Sequence, residues 1–426
     1  MKTIILAAGE GVRLQPVTST RPKHLIKVGG KPILEHVLTT LKTSGIDEAL
    51  IVTHYMEEKI REYFEDGRRF GLKIEYAHQE SVLGTGDALK VAEPYVKEDF
   101  LLLYGDLLFS TQALEKILEK HRKTKPALTM GVIAVQNPED YGIVKLEDED
   151  SVTKIIEKPK LEDAPSNLAN AGIYMFTKEI FEKMKMTASS VRGEWEIPDA
   201  ISLLLREGKT VAAVRLSPDD WIDIGRPWDL LEANRWVLSK SNHRICGVVE
   251  NGAHLIGPVN VAETARIRSG AYIEGPVSID EASDIGPNCY IRPYTSIGKK
   301  VRIGSACEIK GTILMDNVHV GHLSYVGDSI IGEGCNLGAG TITANYRFDA
   351  GSIKMLIKDK LVDSGRTKLG VIMGDNVRTG INALLMPGVK VGQNSWIGPN
   401  VIVQRDLPAN STTMLEQSLR ATQSSR

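Results

Sequence analysis

Aromatic residues are scarce in this chain of 426 residues, at 6% of the total. Cysteines number four, too few for a disulfide-stapled secreted scaffold. No apolar run approaches the ~18 residues that a membrane-spanning helix needs. The opening stretch from Met1 to Gly9 is too short and too soon interrupted for a signal peptide, so a cytoplasmic protein is expected. Charge of one sign is also missing: 52 Lys+Arg stand against 54 Asp+Glu, a net charge of −2. A protein that binds nucleic acid through a general basic field is thereby disfavoured.

What the chain does have is length, apolar content and unevenly spread glycine. With 42% apolar residues, it should hold two or three domains at ~100–200 residues each. Of its 39 glycines, 16 fall in residues 1–246 and 23 in residues 247–426. A composition break near residue 245 therefore points to two architectures: a domain over 1–240, with a connecting helix at 226–240, and a second over 245–412, then a polar, disordered tail at 413–426.

The first part alternates short apolar runs (Ile4–Ala7, Leu50–Thr53, Leu101–Tyr104, Leu128–Val135) with amphipathic stretches (Ile33–Lys42, Glu57–Glu65, Gln112–Lys120). Buried parallel strands with helical crossovers read this way, so an α/β, Rossmann-like sheet is expected. Pro227–Ser239 reads as a helix with proline in its first turn.

From Leu255 an aliphatic residue recurs every sixth position: Leu255, Val261, Ile267, Ile273, Ile279, Ile285, Ile291, Ile297, Ile303, Ile309. Two positions before each stands a small or β-branched residue, such as Ala265, Ala271, Ser283 or Cys289. The register resets later but continues to Val403. A fixed hexad means a solenoid of short strands and turns, its aliphatics stacked inward. Glycines at the turns (Gly286, Gly298, Gly304, Gly332, Gly338, Gly392, Gly398) are expected for their backbone freedom. Three cysteines, Cys289, Cys307 and Cys335, fall on the small inward position and are expected to be reduced core residues. This repeat resembles the left-handed parallel β-helix of the hexapeptide transferases. The resemblance implies 18 residues per coil, a homotrimer, and active sites between neighbouring prisms. The segment Ala350–Leu369 breaks the hexads and should loop out.

Two sets of residues carry chemistry. In the first, the run Leu6-Ala7-Ala8-Gly9-Glu10-Gly11-Val12-Arg13 follows the first strand, with Pro22-Lys23 beyond it. Glycines there let backbone N–H groups approach phosphates, and Arg13 and Lys23 add positive charge. Asp106 and Asp223 each follow a short apolar run, where two carboxylates can hold Mg²⁺. These segments resemble the sugar-1-phosphate nucleotidyltransferases over residues 1–240, with Val12 in place of the usual Thr or Ser. The resemblance implies that Arg13 and Lys23 neutralise nucleotide phosphates and that Asp106 and Asp223 bind Mg²⁺. It further implies base contacts from Gln79, Gly84 and Thr85, and sugar-phosphate contacts from Gly142, Glu157, Lys158 and Asn170.

The second set is the run Gly321-His322-Leu323-Ser324-Tyr325-Val326-Gly327-Asp328, followed by Asn336-Leu337-Gly338-Ala339-Gly340-Thr341-Ile342-Thr343-Ala344-Asn345-Tyr346. Its order and spacing resemble the acetyltransferase half of the bifunctional N-acetylglucosamine-1-phosphate uridylyltransferase/glucosamine-1-phosphate acetyltransferases. The resemblance implies His322 as general base toward acetyl-CoA chemistry, an imidazole being suited to proton transfer near neutral pH. It implies substrate contacts from Arg292, Lys310, Tyr325, Asn336, Asn345 and Tyr346. Arg347-Phe348 stands where Asp-Gly is usual, and Ile381 replaces a small polar residue near the CoA path.

The expected activity is acetylation of glucosamine-1-phosphate from acetyl-CoA, then uridylyl transfer from UTP (or dTTP) to the product. The alternatives are a thymidylyl- or guanylyltransferase whose β-helix only assembles the oligomer, and a non-catalytic exchange-factor-like subunit. The His322–Asn345 run argues against the first, and intact Arg13, Lys23, Asp106 and Asp223 against the second.

Overall fold

The computed structural model describes residues 1–190 and 192–421. The tail expected over 413–426 thus lies partly outside the described residues; Leu415–Ala421 has no regular structure and is exposed. The chain forms two compact units. One comprises Met1–Gly11, Arg21–Ile26 and Pro32–Ile224; the other comprises Val12–Thr20, Lys27–Lys31 and Gly225–Arg426.

In the first unit the strand Thr3–Ala7 pairs in parallel with Glu48–Thr53 on one side and Phe100–Tyr104 on the other. Lys73–His78 extends this parallel edge. The opposite half of the sheet is different. Leu168–Phe176 runs antiparallel to Phe100–Tyr104, to Leu128–Ala134 and to Gly142–Leu146. The sheet is therefore mixed, although Leu128–Ala134 reads like its parallel neighbours: burial on both faces makes a strand uniformly apolar whichever way it runs. Helices cover the sheet as their periodicity requires. Ile33–Thr43 buries Ile33, Leu34, Val37, Leu38 and Leu41, one stripe at helical spacing. Thr111–Thr124 is capped by Ser110, whose hydroxyl accepts from the Ala113 N–H at 3.0 Å.

The second unit is a three-faced parallel β-helix of the left-handed hexapeptide class, with eight, nine and eight short strands on its faces. Ile273 stacks on Ile291, and Ile291 on Ile309, 18 residues apart. At Ile297↔Leu314 and Ile303↔Val320 the interval is 17, which is the register reset visible in the hexads. The inward small residues are buried with the aliphatics, among them Ala265, Ala271, Ser283 and Thr295. Cys289, Cys307 and Cys335 are buried and free, Cys246 exposed and free. Burial pushes the Cys289 thiol up to about 12, the neighbouring Cys307 adding to it.

The turn glycines have a different reason from the expected one. Of the seven, only Gly286 has positive φ, at 103°. At Gly304 a Cβ would stand 1.9 Å from the Gly321 carbonyl, and at Gly392 it would stand 2.2 Å from the Ala409 nitrogen. These glycines let successive coils stack closely. The left-handed corners are filled instead by residues such as Asn288, Asn376, Asn394 and Asn400, asparagine being the side chain that tolerates that conformation best after glycine.

The hexad-breaking segment forms an antiparallel hairpin, Lys354–Ile357 with Lys360–Asp363, and buries Ile353, Met355 and Ile357. The helix Pro227–Ser239 packs on the solenoid. Asn234 Oδ1 accepts from the Gly29 N–H and the Ser296 hydroxyl, both at 2.7 Å, while its Nδ2 donates to the Tyr294 carbonyl at 2.9 Å.

Candidate active sites

The first site lies where the central parallel strands end. Leu6 and Ala7 finish Thr3–Ala7, and Ala8, Gly9 and Gly11 form the loop beyond it, Gly11 with φ +67°. The Leu6 carbonyl accepts from the Gly105 N–H at 2.9 Å. Gly9 faces the Lys23 ammonium, which would lie 3.7 Å from a Cβ at that position. Lys23 forms an ion pair with Asp106. Burial alone would raise the Asp106 carboxyl, but the Lys23 charge and hydrogen bond outweigh it and hold it low. Asp223 sits on the adjoining ribbon: Trp221–Asp223 pairs with Leu107–Phe109, Asp223 opposite Leu107, and the Ile224 N–H reaches the Asp106 carbonyl at 3.2 Å. Behind this pair His24 is fully buried, its two ring nitrogens without hydrogen-bond partners among the described residues. Burial lowers its pKa to about 3, Lys23 adding to the effect and Asp106 opposing it, so it is a neutral imidazole under all ordinary conditions. Arg13 lies in the short turn Val12–Leu14, part of the second unit, its guanidinium over Gly225.

Gln79 is buried, and its amide is used to brace the next turn, donating to Asp87 Oδ2 at 2.7 Å. Gly84 has φ +108°, and a Cβ there would meet the Trp195 carbonyl at 2.4 Å. Thr85 opens the helix Thr85–Ala92, and its hydroxyl accepts from the Ile197 N–H at 3.3 Å. The turn is thereby clamped to the Trp195 segment, which the sequence reading missed.

Gly142, Glu157 and Asn170 come together. Gly142 pairs with Glu157 across antiparallel strands, and a Cβ at Gly142 would stand 2.7 Å from Glu157 Oε2. Burial raises the Glu157 carboxyl, while Lys158, 3.4 Å away, opposes the shift. Arg192 approaches the same carboxylate at 3.9 Å and pairs with the buried Glu196 at 2.6 Å. Neither Arg192 nor Glu196 was picked out from the sequence; the signal was the charged and aromatic run from Arg192 to Glu196 just before a helix. Tyr104, half-buried beside Gly105-Asp106, was also missed.

The second site is built on one face of the β-helix. Asp328, almost fully buried, accepts from Lys310 Nζ at 2.9 Å and from Asn345 Nδ2 at 2.5 Å. Asn345 Nδ2 also lies 3.0 Å from Tyr325 Oη. One coil away Arg292 donates to Glu308 Oε1 at 2.8 Å. Burial raises the Tyr325 hydroxyl, and Asp328 adds to the shift. His322 stands exposed at the corner that leads into the Tyr325 strand, its carbonyl accepting from Ser324 Oγ at 2.8 Å and from the Gly340 N–H at 3.2 Å. Tyr346 is half-exposed beyond Asn345. Asn336 is not brought into this cluster: it lies on the neighbouring face, between His319 and Arg378. Next to the His322 corner an apolar groove of about 610 Å³ is lined by Leu323, Ile342, Ile381, Asn382, Leu384 and Ile402.

Comparison with known proteins assigns these two halves. Residues 2–240 match the Nucleotidyl transferase family, 273–383 the GMPPB C-terminal domain, and 370–405 the hexapeptide repeat of succinyl-transferase. The chain is 46% identical to the bifunctional protein GlmU of Methanocaldococcus jannaschii over 96% of this chain and 97% of that protein. It is 41% identical to the bifunctional sugar-1-phosphate nucleotidylyltransferase/acetyltransferase of Sulfurisphaera tokodaii, over 89% and 91%. The chain belongs to this bifunctional family. Its nucleotidyl half also resembles a UDP-glucose pyrophosphorylase crystallised with UDP-glucose, with a TM-score of 0.52 and 26% identity, covering 56% of this chain and 98% of that one. The protein is thus a sugar-1-phosphate nucleotidylyltransferase and an acetyltransferase that uses a nucleoside triphosphate, a sugar phosphate and an acyl-CoA. Among the described residues no helix is long and apolar enough to cross a membrane.

Proposed function

We propose that the protein makes UDP-N-acetylglucosamine in two steps, at two separate sites. The carrying observation is that each unit holds its own ion pair, Lys23–Asp106 in one and Lys310–Asp328 in the other, the latter joined by the Asn345 amide. We assign the nucleotidyl domain to 1–240, the acetyltransferase to 245–412 and a polar tail to 413–426.

In the acetyltransferase step the amine of glucosamine-1-phosphate attacks the thioester carbonyl of acetyl-CoA. His322 takes the amine proton, the carbon–sulfur bond breaks, and the thiolate of CoA leaves and is protonated. Arg292 and Lys310 bind the sugar phosphate, and Tyr325, Asn345 and Tyr346 orient the sugar. The apolar groove beside Leu323 suits the arm of the acyl-CoA. A homotrimer would bring faces of different chains together and offer Asn336 to a neighbour's cluster.

In the nucleotidyl step an oxygen of N-acetylglucosamine-1-phosphate attacks the α-phosphorus of UTP in line, and pyrophosphate departs. Arg13, Lys23 and the N–H groups of the Leu6–Gly11 segment spread the developing negative charge. Gln79, Gly84 and Thr85 form the base side of the pocket, and Gly142, Glu157, Lys158 and Asn170 the sugar side. Asp106, in the turn before Leu107–Phe109, and Asp223, at the end of the paired strand Trp221–Asp223, supply hard oxygen ligands, a donor set suited to Mg²⁺ held with phosphate oxygens. Bound there, Mg²⁺ would neutralise phosphate charge. A soluble cytoplasmic enzyme fits this chemistry.

The test is reciprocal inactivation. His322→Ala should abolish thiol release from acetyl-CoA and leave pyrophosphate release within about twofold; Lys23→Ala or Asp223→Ala should do the reverse. Full acetyl transfer by His322→Ala would remove the histidine from the reaction. A panel of nucleoside triphosphates against sugar-1-phosphates checks the base and sugar assignments.

A further inference from the structure

Within the nucleotidyl unit a chain of polar groups runs from the sugar side of the pocket into the core. Asn170 Nδ2 donates to Tyr174 Oη, and Tyr174 Oη lies 3.1 Å from Tyr104 Oη. An amide nitrogen can only donate, so the Tyr174 oxygen accepts from Asn170 and its own proton is free to go to Tyr104. The other end of the Asn170 amide is held as well: Oδ1 accepts from the Gly172 N–H at 3.1 Å. Tyr174 is fully buried on the strand Leu168–Phe176. Its ring stacks on Phe176 with centroids 5.1 Å apart and meets Tyr104 edge-on at 5.9 Å. It therefore touches no substrate. Tyr104 ends the strand that leads into Gly105-Asp106, and Gly172 packs against it so closely that a Cβ would stand 2.7 Å from the tyrosine ring. Both tyrosine hydroxyls are locked by their surroundings, and the Asn170 side chain they hold has its Cβ beside Gly142. One Asn170 hydrogen is committed to Tyr174, which leaves the second to meet a ligand.

We propose that Tyr174 is a positioning residue for the sugar-1-phosphate: its buried hydroxyl, anchored on Tyr104, fixes the orientation in which the Asn170 amide meets the sugar. The inference rests on the reading of Asn170 as a sugar contact. Tyr174→Phe keeps the ring but leaves the Asn170 N–H without its acceptor. The loss should fall on sugar binding, since the Tyr174 hydroxyl bonds Asn170 and Tyr104, whereas the contacts with Leu6, Thr85 and Asp106 belong to Tyr104, which Tyr174→Phe leaves in place.

The experiment measures pyrophosphate release by the full-length protein, varying N-acetylglucosamine-1-phosphate and UTP separately, in wild type, Tyr174→Phe, Asn170→Ala and the double variant. Tyr174→Phe should raise the KM for the sugar-1-phosphate on the order of tenfold, the effect of one unpaired buried donor. Its kcat and UTP KM should stay within about twofold. In the Asn170→Ala background the tyrosine change should add nothing, because it acts through the missing amide. If Asn170→Ala raises the sugar KM and Tyr174→Phe does not, or if Tyr174→Phe costs as much without the amide as with it, the positioning role is overturned. If Asn170→Ala itself leaves the sugar KM unchanged, the sugar-site reading fails and takes this inference with it. Should Tyr174→Phe not fold, Tyr104→Phe reads the same chain of groups from its far end. It should raise the sugar KM on the order of threefold by loosening Tyr174, and again only while Asn170 is present; no such rise overturns the proposal.

Discussion

Replacing Asp328 is expected to cripple acetyl transfer and spare nucleotidyl transfer. The carboxylate is the hub of the second site, with a side chain 6% exposed that accepts from Lys310 and Asn345. Each charge-assisted bond contributes about 1.5–3 kcal/mol. Asp328→Ala removes both and leaves the Lys310 ammonium, 20% exposed, beside no counter-charge. Water reaches that ammonium and recovers part of the loss, so a net cost of about 3 kcal/mol is expected, or about 100-fold in kcat/KM for acetyl transfer. Because Asp328 also has φ +46°, alanine adds backbone strain that asparagine does not. Asp328→Asn therefore isolates the charge, and about a tenfold loss is expected from it. The assay follows thiol release at saturating acetyl-CoA with glucosamine-1-phosphate varied, and pyrophosphate release in parallel, well below each variant's Tm. Acetyl transfer within threefold of wild type in Asp328→Ala, or an equal fall in both activities, would refute the hub reading.

Two further outcomes are expected, besides the reciprocal inactivation by His322→Ala and Lys23→Ala. Gly142→Ala should push the Glu157 carboxylate aside, since the new Cβ would lie 2.7 Å from Oε2; the KM for sugar-1-phosphate should rise about tenfold while acetyl transfer is unchanged, and an unaltered KM would count against Glu157 as a sugar contact. Asp229 caps the helix Pro227–Ser239, accepting from the Gly225 and Arg226 N–H groups at 3.1 and 2.7 Å. Burial raises its pKa to about 6, the capping N–H groups and Arg226 opposing the shift. A raised carboxyl favours the folded state below its unfolded pKa of about 3.9, and that contribution is lost as pH climbs through about 6. Asp229→Asn keeps an acceptor and removes the charge, so its Tm relative to wild type should climb between about pH 4 and pH 7; a difference that stays flat with pH would show that the carboxyl is not strained.

Much of the architecture is carried by local pattern. The six-residue recurrence is enough to specify a solenoid with aliphatics inside, because each unit repeats the same contact with the next and needs no distant information. The helices at Ile33–Thr43, Thr111–Thr124 and Pro227–Ser239 are legible for the same reason, and so are the runs that hold Gly9, Lys23, Asp106, His322 and Asn345. Direction and convergence are another matter. Whether Leu128–Ala134 runs with or against its neighbour is invisible in a strand apolar on both faces, and only pairing with Leu168–Phe176 decides it. The glycines of the coils are a case where the residue was legible and its reason was not: backbone freedom is a local property, whereas the Gly304 contact with Gly321 exists only once two coils stack. Tyr174 illustrates the limit most sharply. In sequence it is one more apolar residue of a buried strand. The irregularity in the strand at Gly172 and the arrival of Phe100–Tyr104 from seventy residues away make its hydroxyl the link between Asn170 and Tyr104. Composition and period thus determine that two architectures exist and where their chemical groups lie along the chain. Long-range strand pairing decides which of those groups meet, because hydrogen bonds act over about 3 Å and only the folded chain brings distant residues that close.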